Sequence, residues 1–161
     1  MRAHHFLIIV FGLVNAFPLR AAEISWTLPA GEHKMSDGST MGIDFIVELG
    51  AFSQGFVPAH DNKAIWSDHW TPVSRRPYQP GDATTGSITI QENSGAFSTT
   101  NRAYLWVFNI DQPTREWALL SESAWTWPDA NANRLTEWWV RRATTHARFG
   151  ILTNIITTAS A

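Results

Sequence analysis

Two tryptophans placed two residues apart, Trp125 and Trp127, are the residues whose type and spacing suggest a binding function most directly. In an extended chain, residues i and i+2 project to the same side, so the two indoles would lie next to each other. Paired indoles can stack on the C–H faces of a sugar ring, which predicts a platform for polysaccharide. The alternative is that the pair packs in the core, under a loop or against Trp106 and Trp117, because nine tryptophans must be placed in a small chain.

Trp138 and Trp139 are adjacent, so they point to opposite faces if this stretch is extended. On an outer strand only one of the two can face the core, which makes the other an exposed aromatic side chain. We assign the exposed position to Trp139. The predicted ligand-binding residues are therefore Trp125, Trp127 and Trp139.

Carboxylates suggest an alternative function of another class, the cleavage of a glycan. Hydrolysis of a glycosidic bond uses two carboxylates about 5 Å or ~6.5–9.5 Å apart, and Glu48, Glu116 and Glu122 each lie on or beside a predicted strand. Such a set also arises by chance in a chain with 14 acidic residues. The sequence has no cysteine, no GxSxG motif and no glycine-rich phosphate loop. We therefore predict no catalytic residues and no enzyme, with a glycan hydrolase as the alternative.

Candidate metal ligands occur at the loop Asp37 to Thr40 and at the histidines. The loop, with Asp44 beyond it, loosely resembles an oxygen-rich calcium loop but lacks the alternating acidic spacing. The alternative is a turn in which Asp37 bonds to the backbone two residues on and Gly38 takes a positive φ. The histidines beyond residue 22 have no HExxH spacing and are expected at the surface: His33, His60, His69 and His146. We predict no metal site and no cofactor.

The first 22 residues have the pattern of a secretory signal peptide. Arg2 supplies the fixed positive charge, and Phe6–Val14 (FLIIVFGLV) is an unbroken apolar run. This run is far shorter than the about 20 residues that cross a bilayer, so a permanent N-terminal anchor is only the alternative. We expect cleavage between Ala16 and Ala22 and no membrane span after it. The predicted organisation is a signal peptide at 1–22 and one β-sandwich-like domain at 23–161.

Composition and charge exclude several classes of protein. The chain has 161 residues, of which 44% are apolar and 16% are charged, and it has no cysteine. These values exclude a disordered tail, a coiled coil and a disulfide-stabilised scaffold. Without residues 1–22 the chain has 10 basic and 14 acidic residues, and this net charge of −4 argues against a nucleic-acid partner. Residues 134–148 are locally basic, because they contain four arginines and one glutamate: Arg134, Arg141, Arg142, Arg148 and Glu137. This basic stretch could bind an acidic polysaccharide, or it could be a solvated strand face.

Short runs of β-branched and aromatic residues, separated by glycine, proline and asparagine, predict an all-β domain. Asp44–Phe52 predicts a strand with one buried face, and Gly86–Gln91 predicts a half-exposed strand. Arg102–Ile110 predicts a strand that is covered on both faces, and it is followed by a predicted strand at Glu116–Ser121. The last two form a predicted β-hairpin. Further strands are predicted at Trp138–Ala143 and Ala147–Asn154, or as one long strand, and the end at Ile151–Ala161 is typical of a last strand.

Two stretches depart from the strand pattern. Asp61–Trp70 predicts a helix of two or three turns that places Trp66 and Trp70 on one face. Thr71–Asp82, with three prolines and a glycine, predicts a loop. The resulting fold class is an all-β, antiparallel two-layer β-sandwich with one short helix packed on its edge.

Several motifs together resemble a family of exported bacterial proteins of unknown function that often carry a C-terminal PEP-CTERM sorting signal. They are SDGSTMG at Ser36–Gly42, DFIVELGAF at Asp44–Phe52, GFVP at Gly55–Pro58, Trp66, Trp70, AYLWVF at Ala103–Phe108, EWALLS at Glu116–Ser121 and WTWP at Trp125–Pro128. The resemblance implies a secreted or envelope-associated β-rich module without established catalytic residues. The sorting signal itself is missing before Ala161, which favours simple secretion or a shortened chain over surface anchoring.

These observations predict an exported, non-enzymatic module of the cell envelope or extracellular matrix. Its expected partners are polysaccharide, bound through exposed aromatic side chains, or other envelope components. A secreted glycan hydrolase and a purely structural envelope protein are the alternatives.

Overall fold

Strands make up most of the regular structure of the chain. The computed structural model describes residues 21–31, 33–35, 37–111 and 116–140, together with the backbone of 146–150. Within these residues the strands are β1 (Ala22–Leu28), β2 (Phe45–Phe52), β3 (Trp70–Pro77), β4 (Thr84–Ile90), β5 (Tyr104–Asn109), β6 (Trp117–Ser121), β7 (Leu135–Trp139) and β8 (His146–Gly150). A single α-helical turn, α1 (Trp66–His69), follows a 3₁₀ helix at His60–Ile65, and shorter 3₁₀ turns lie at Gly95–Phe97 and Ala130–Ala132.

The strands form two sheets. The smaller sheet has the order β4-β1-β7, and the larger has the order β3-β2-β5-β6-β8. All of the pairs are antiparallel except β1 with β7, which is parallel. The predicted all-β, sandwich-like fold with one short helix is thus confirmed, and the predicted hairpin is β5 with β6.

One core cluster joins residues of both sheets. β1, which is missing from the predicted strands, contributes its alternate residues Ile24, Trp26 and Leu28, all at most 1% exposed. The larger sheet contributes the apolar residues that alternate along its strands, among them Phe45, Val47, Leu49, Leu105, Val107 and Leu120. This alternation has the period of two that a strand with one face toward the core requires.

The larger sheet also carries apolar packing on its other face. A second cluster forms there around Phe52, Trp66, Trp117 and Leu119, with α1 supplying Trp66. As a result every residue of β2 is buried, including Glu48 at 5% exposure. The prediction of one buried face for this strand is therefore wrong, because the helical segment and its aromatic neighbours cover the face that alternation alone leaves open.

The structure also corrects the loop predicted at Thr71–Asp82, because its first part is strand β3. β3 is an outer strand of its sheet, where proline is tolerated because one side of the backbone makes no ladder hydrogen bonds. The register shifts at Leu49/Gly50, so that Pro72 lies opposite Gly50 while Ser74 lies opposite Leu49. This β-bulge and the outer position together accommodate the prolines.

Other predicted elements keep their place with different bounds. The predicted helix at Asp61–Trp70 is the 3₁₀ segment followed by α1, and Trp70 already belongs to β3. The half-exposed strand at Gly86–Gln91 is β4, with Ser87 and Thr89 exposed. The last strand predicted at Ile151–Ala161 lies outside the described residues. In the part of the chain that the structure describes, no helix combines the length and apolar character needed to cross a bilayer.

Replacement of Gly86 by alanine tests the packing of the smaller sheet. Gly86 lies opposite Trp26 in the β1–β4 ladder, and a Cβ atom at position 86 would lie 2.6 Å from Nε1 of the buried Trp26 indole. Since overpacking a core typically costs about 1–3 kcal/mol, we expect Gly86→Ala to lower the free energy of unfolding by that amount in urea titrations. Ser87→Ala, on the exposed side of the same strand, should change it by less than about 0.5 kcal/mol. Equal stability of the two variants would contradict this packing.

Candidate functional site

The loop after β6 and the strand β7 bring two tryptophans together at one side of the smaller sheet. The rings of Trp125 and Trp138 are stacked, with centroids 5.9 Å apart and planes inclined by 23°. The loop is fixed by the bond from the Ala103 N–H to the Trp125 carbonyl and by a bridge between Arg102 and Thr126. Trp138 lies opposite Trp26 in the β1–β7 ladder. The stack is therefore held by backbone pairing on both sides.

Trp127 lies deeper than Trp125. Its ring meets those of Phe97 and Trp138 edge to face, at centroid distances of 4.8 and 5.4 Å. Trp125 is 3% exposed and Trp127 is 1% exposed, so the two do not form an open platform. The two indoles instead pack in the core, as the alternative prediction had it, but their partners are Trp138 and Phe97 and not Trp106 and Trp117. The spacing correctly places both indoles on one side, but that side faces the core.

Trp139 occupies the opposite face of β7 and is 45% exposed, while Trp138 is 3% exposed. The predicted division between a core and an exposed tryptophan is confirmed. Trp139 borders a surface pocket of about 250 Å³. The pocket is lined by side chains from the loop after β6 and from β7: Glu122, Ala124, Trp125, Thr136, Glu137, Trp138 and Trp139.

The pocket combines aromatic surface with carboxylates. Indole rings supply apolar faces and edges, and carboxylate oxygens accept hydrogen bonds from hydroxyl groups. Glu137 and Trp139 are exposed, and Glu122 is half-buried. Glu137 was not among the predicted site residues, although its place two residues before Trp139 in a strand puts it on the same face.

A second aromatic region lies on the outer face of the larger sheet, around the buried carboxylate of Glu48. The indole N–H of Trp70 donates to Glu48 Oε2 at 2.8 Å, and Arg75 Nε lies 3.5 Å from Oε1. Trp106 packs against Trp70 edge to face at 5.5 Å. Glu48 also lines a pocket of about 250 Å³ along β3. Its carboxylate is thus engaged by a tryptophan and an arginine in a structural arrangement.

The three glutamates considered for glycan cleavage are not brought together. Glu116 precedes β6 and Glu122 follows it, which separates them by about 20 Å at ~3.3 Å per residue. Glu48 lies on β2, with β5 between it and β6. The carboxylate that shares a pocket with Glu122 is Glu137.

The histidines have separate environments. His33 is 2% exposed, with Nε2 at 3.1 Å from the Pro29 carbonyl, so the prediction of a surface position is wrong for this residue. His69 stacks on Phe56 at 4.1 Å and contacts Ser53 Oγ through Nδ1 at 2.9 Å. His60 is exposed, and the side chain of His146 is outside the described structure. Among the described residues no three His, Asp or Glu side chains are grouped as metal ligands.

The loop at Asp37 has the geometry of the turn alternative. Asp37 Oδ1 accepts hydrogen bonds from the hydroxyl and the backbone N–H of Ser39, at 2.5 and 2.8 Å, and Gly38 has a φ of 87°. These two bonds lower the pKa of the Asp37 carboxyl. Of the basic residues at 134–148, Arg134 is exposed, and the side chains of Arg141, Arg142 and Arg148 are outside the described structure.

Comparisons of the chain with protein-family models, curated proteins and solved structures found no match.

Trp70→Phe tests the structural assignment of Glu48. The variant keeps an aromatic ring but removes the donor to a carboxylate that is 5% exposed. Because a buried acceptor that loses its partner costs about 1–3 kcal/mol, we expect the free energy of unfolding to fall by that amount. The double variant Trp70→Phe/Glu48→Leu should lose less free energy of unfolding than the two single variants lose in sum, since it leaves no carboxylate unpaired. Strict additivity in chemical denaturation would refute the coupling.

Proposed function

We propose that this protein binds polysaccharide in the pocket beside Trp139. The observation that carries the proposal is the exposed indole of Trp139 on the border of a pocket that also holds two carboxylates, Glu122 and Glu137. An exposed tryptophan in this position offers a flat apolar face to a sugar ring. The glutamates offer acceptors for its hydroxyl groups.

The pocket residues have different tasks in this proposal. Trp139 stacks on the ligand, because 45% of it is exposed. Trp125 and Trp138 form the floor, and their stacking at 5.9 Å fixes the floor before a ligand arrives. A site whose side chains are already held in place loses less conformational entropy on binding.

We place this binding activity outside the cytoplasm, in the cell envelope or extracellular matrix. The support comes from the sequence: the charged start at Arg2, the apolar run Phe6–Val14 and the small residues that follow it. The absence of cysteine is compatible with an exported chain whose stability comes from its core. The resemblance to exported β-rich bacterial proteins points the same way.

The Trp139→Ala variant tests the binding site. Aromatic stacking contributes about 0.5–1.5 kcal/mol, so we expect the variant to bind roughly 2–10-fold more weakly. The measurement is affinity electrophoresis through gels that contain a neutral, an acidic or an amino polysaccharide. Leu135→Ala is the matched control, since Leu135 is 56% exposed on the same strand but does not line the pocket.

Two results would remove the proposal. One is a lack of retention of the wild-type protein by every polysaccharide, which would favour a structural envelope protein. The other is equal weakening by Trp139→Ala and Leu135→Ala, which would show that binding does not depend on the pocket.

A second candidate function is the hydrolysis of a glycan, favoured by the presence of Glu122 and Glu137 in one pocket. Two carboxylates beside a bound sugar are the groups that glycosidases use as acid and base. Release of reducing ends from a retained polysaccharide tests it. Activity that is lost in both Glu122→Gln and Glu137→Gln would establish this function, whereas retention without any release would leave binding alone.

A further inference from the structure

The outer edge of β4 has none of the features that normally block the pairing of an edge strand. β4 has seven residues, TTGSITI, without a charge or a proline. It is an outer strand of its sheet and pairs only with β1 among the described residues. In an antiparallel ladder the N–H and C=O groups of alternate residues point away from the neighbour. β4 therefore presents a row of backbone donors and acceptors along this edge.

β3, an outer strand of the other sheet, differs in each of these respects. It contains Pro72 and Pro77, it carries Arg75 and Arg76, and its pairing is interrupted by a bulge. Proteins use such prolines, charges and bulges to prevent edge-to-edge association. Among the described residues, these features are thus present on β3 and absent from β4.

The exposed side chains of β4 form a row of hydroxyl groups with a regular arrangement. Thr85, Ser87 and Thr89 are exposed and alternate with Gly86 and Ile88. If the β4 strands of two copies paired antiparallel with the two Ser87 residues opposite each other, Thr85 of each copy would lie opposite Thr89 of the other. Cross-strand threonine pairs of this kind stabilise antiparallel sheets.

We infer that β4 is the interface between two copies of this chain, paired antiparallel about a two-fold axis at Ser87. A two-fold interface requires a surface that is complementary to itself, and the hydroxyl row meets this requirement. Without residues 1–22 the chain has a net charge of −4, whereas β4 itself carries no charge, so pairing along β4 brings no like charges of this strand together.

The paired copies would form one continuous six-stranded sheet with β7 at both ends. At about 4.8 Å per strand, the two β7 strands would be about 24 Å apart. If the proposed function is correct, this dimer has two sugar-binding pockets. Such a pair increases the apparent affinity for a long polymer without changing the affinity of each pocket.

Sedimentation equilibrium of the full chain over a range of concentrations tests the interface. We expect the wild-type protein to dimerise and Ser87→Lys to remain monomeric at concentrations where the wild type is a dimer, because a lysine pair at the axis repels. Thr89→Lys is a second variant if Ser87→Lys does not fold, as judged by circular dichroism. Thr71→Lys is the matched control, since it adds the same charge to the exposed edge strand β3.

Three results would overturn the inference. They are a monomeric wild-type protein at all concentrations, a dimer that persists in the folded β4 variants, and a dimer that is lost in Thr71→Lys as readily as in the β4 variants. The oligomeric state is measured without sugar, so a failure here is distinct from a failure of the polysaccharide proposal. If both hold, Ser87→Lys should bind short oligosaccharides as the wild type does and long polymers more weakly.

Discussion

The contact of Trp70 with Glu48 across Gly50 determines how the larger sheet is covered. A Cβ atom at position 50 would lie 2.6 Å from the Trp70 ring and 2.5 Å from the Thr71 carbonyl. Only glycine therefore lets the indole cross β2 and donate to the Glu48 carboxylate. That bond satisfies a charge inside an aromatic layer, where an unpaired carboxylate would be costly. The segment with α1 can then pack on this face, and strand β2 becomes buried on both sides.

The packing on both faces of this sheet decides which tryptophans are exposed. The outer layer takes Trp66 and Trp117 completely and Trp70 and Trp106 in large part. The core between the sheets takes another four, at no more than 3% exposure: Trp26, Trp125, Trp127 and Trp138. A chain without disulfides gains much of its stability from such large apolar side chains. Trp139 is the exception, since 45% of it is exposed.

The sequence predicted those features that depend on neighbours along the chain. The hairpin of β5 and β6 and the division between Trp138 and Trp139 follow from local alternation and turn residues. Features that depend on distant segments were not predictable. The prolines of β3 indicate a loop until the strand is known to be at an edge, and Glu48 is expected in solvent until α1 is known to cover it. The spacing of Trp125 and Trp127 shows that they share a side, but only the position of Phe97 and Trp138 shows which side.

The smaller sheet connects the two proposals through its middle strand. Trp26 of β1 lies opposite Gly86 of β4 on one side and opposite Trp138 of β7 on the other. Its indole fills the space above Gly86, while Trp138 lines the pocket. Because β1 and β7 are far apart in the sequence and pair in parallel, the contact of Trp26 with Trp138 forms only when these two distant segments have come together. The packing of one buried side chain, Trp26, therefore supports both β4 and the strand that carries Trp138 and Trp139.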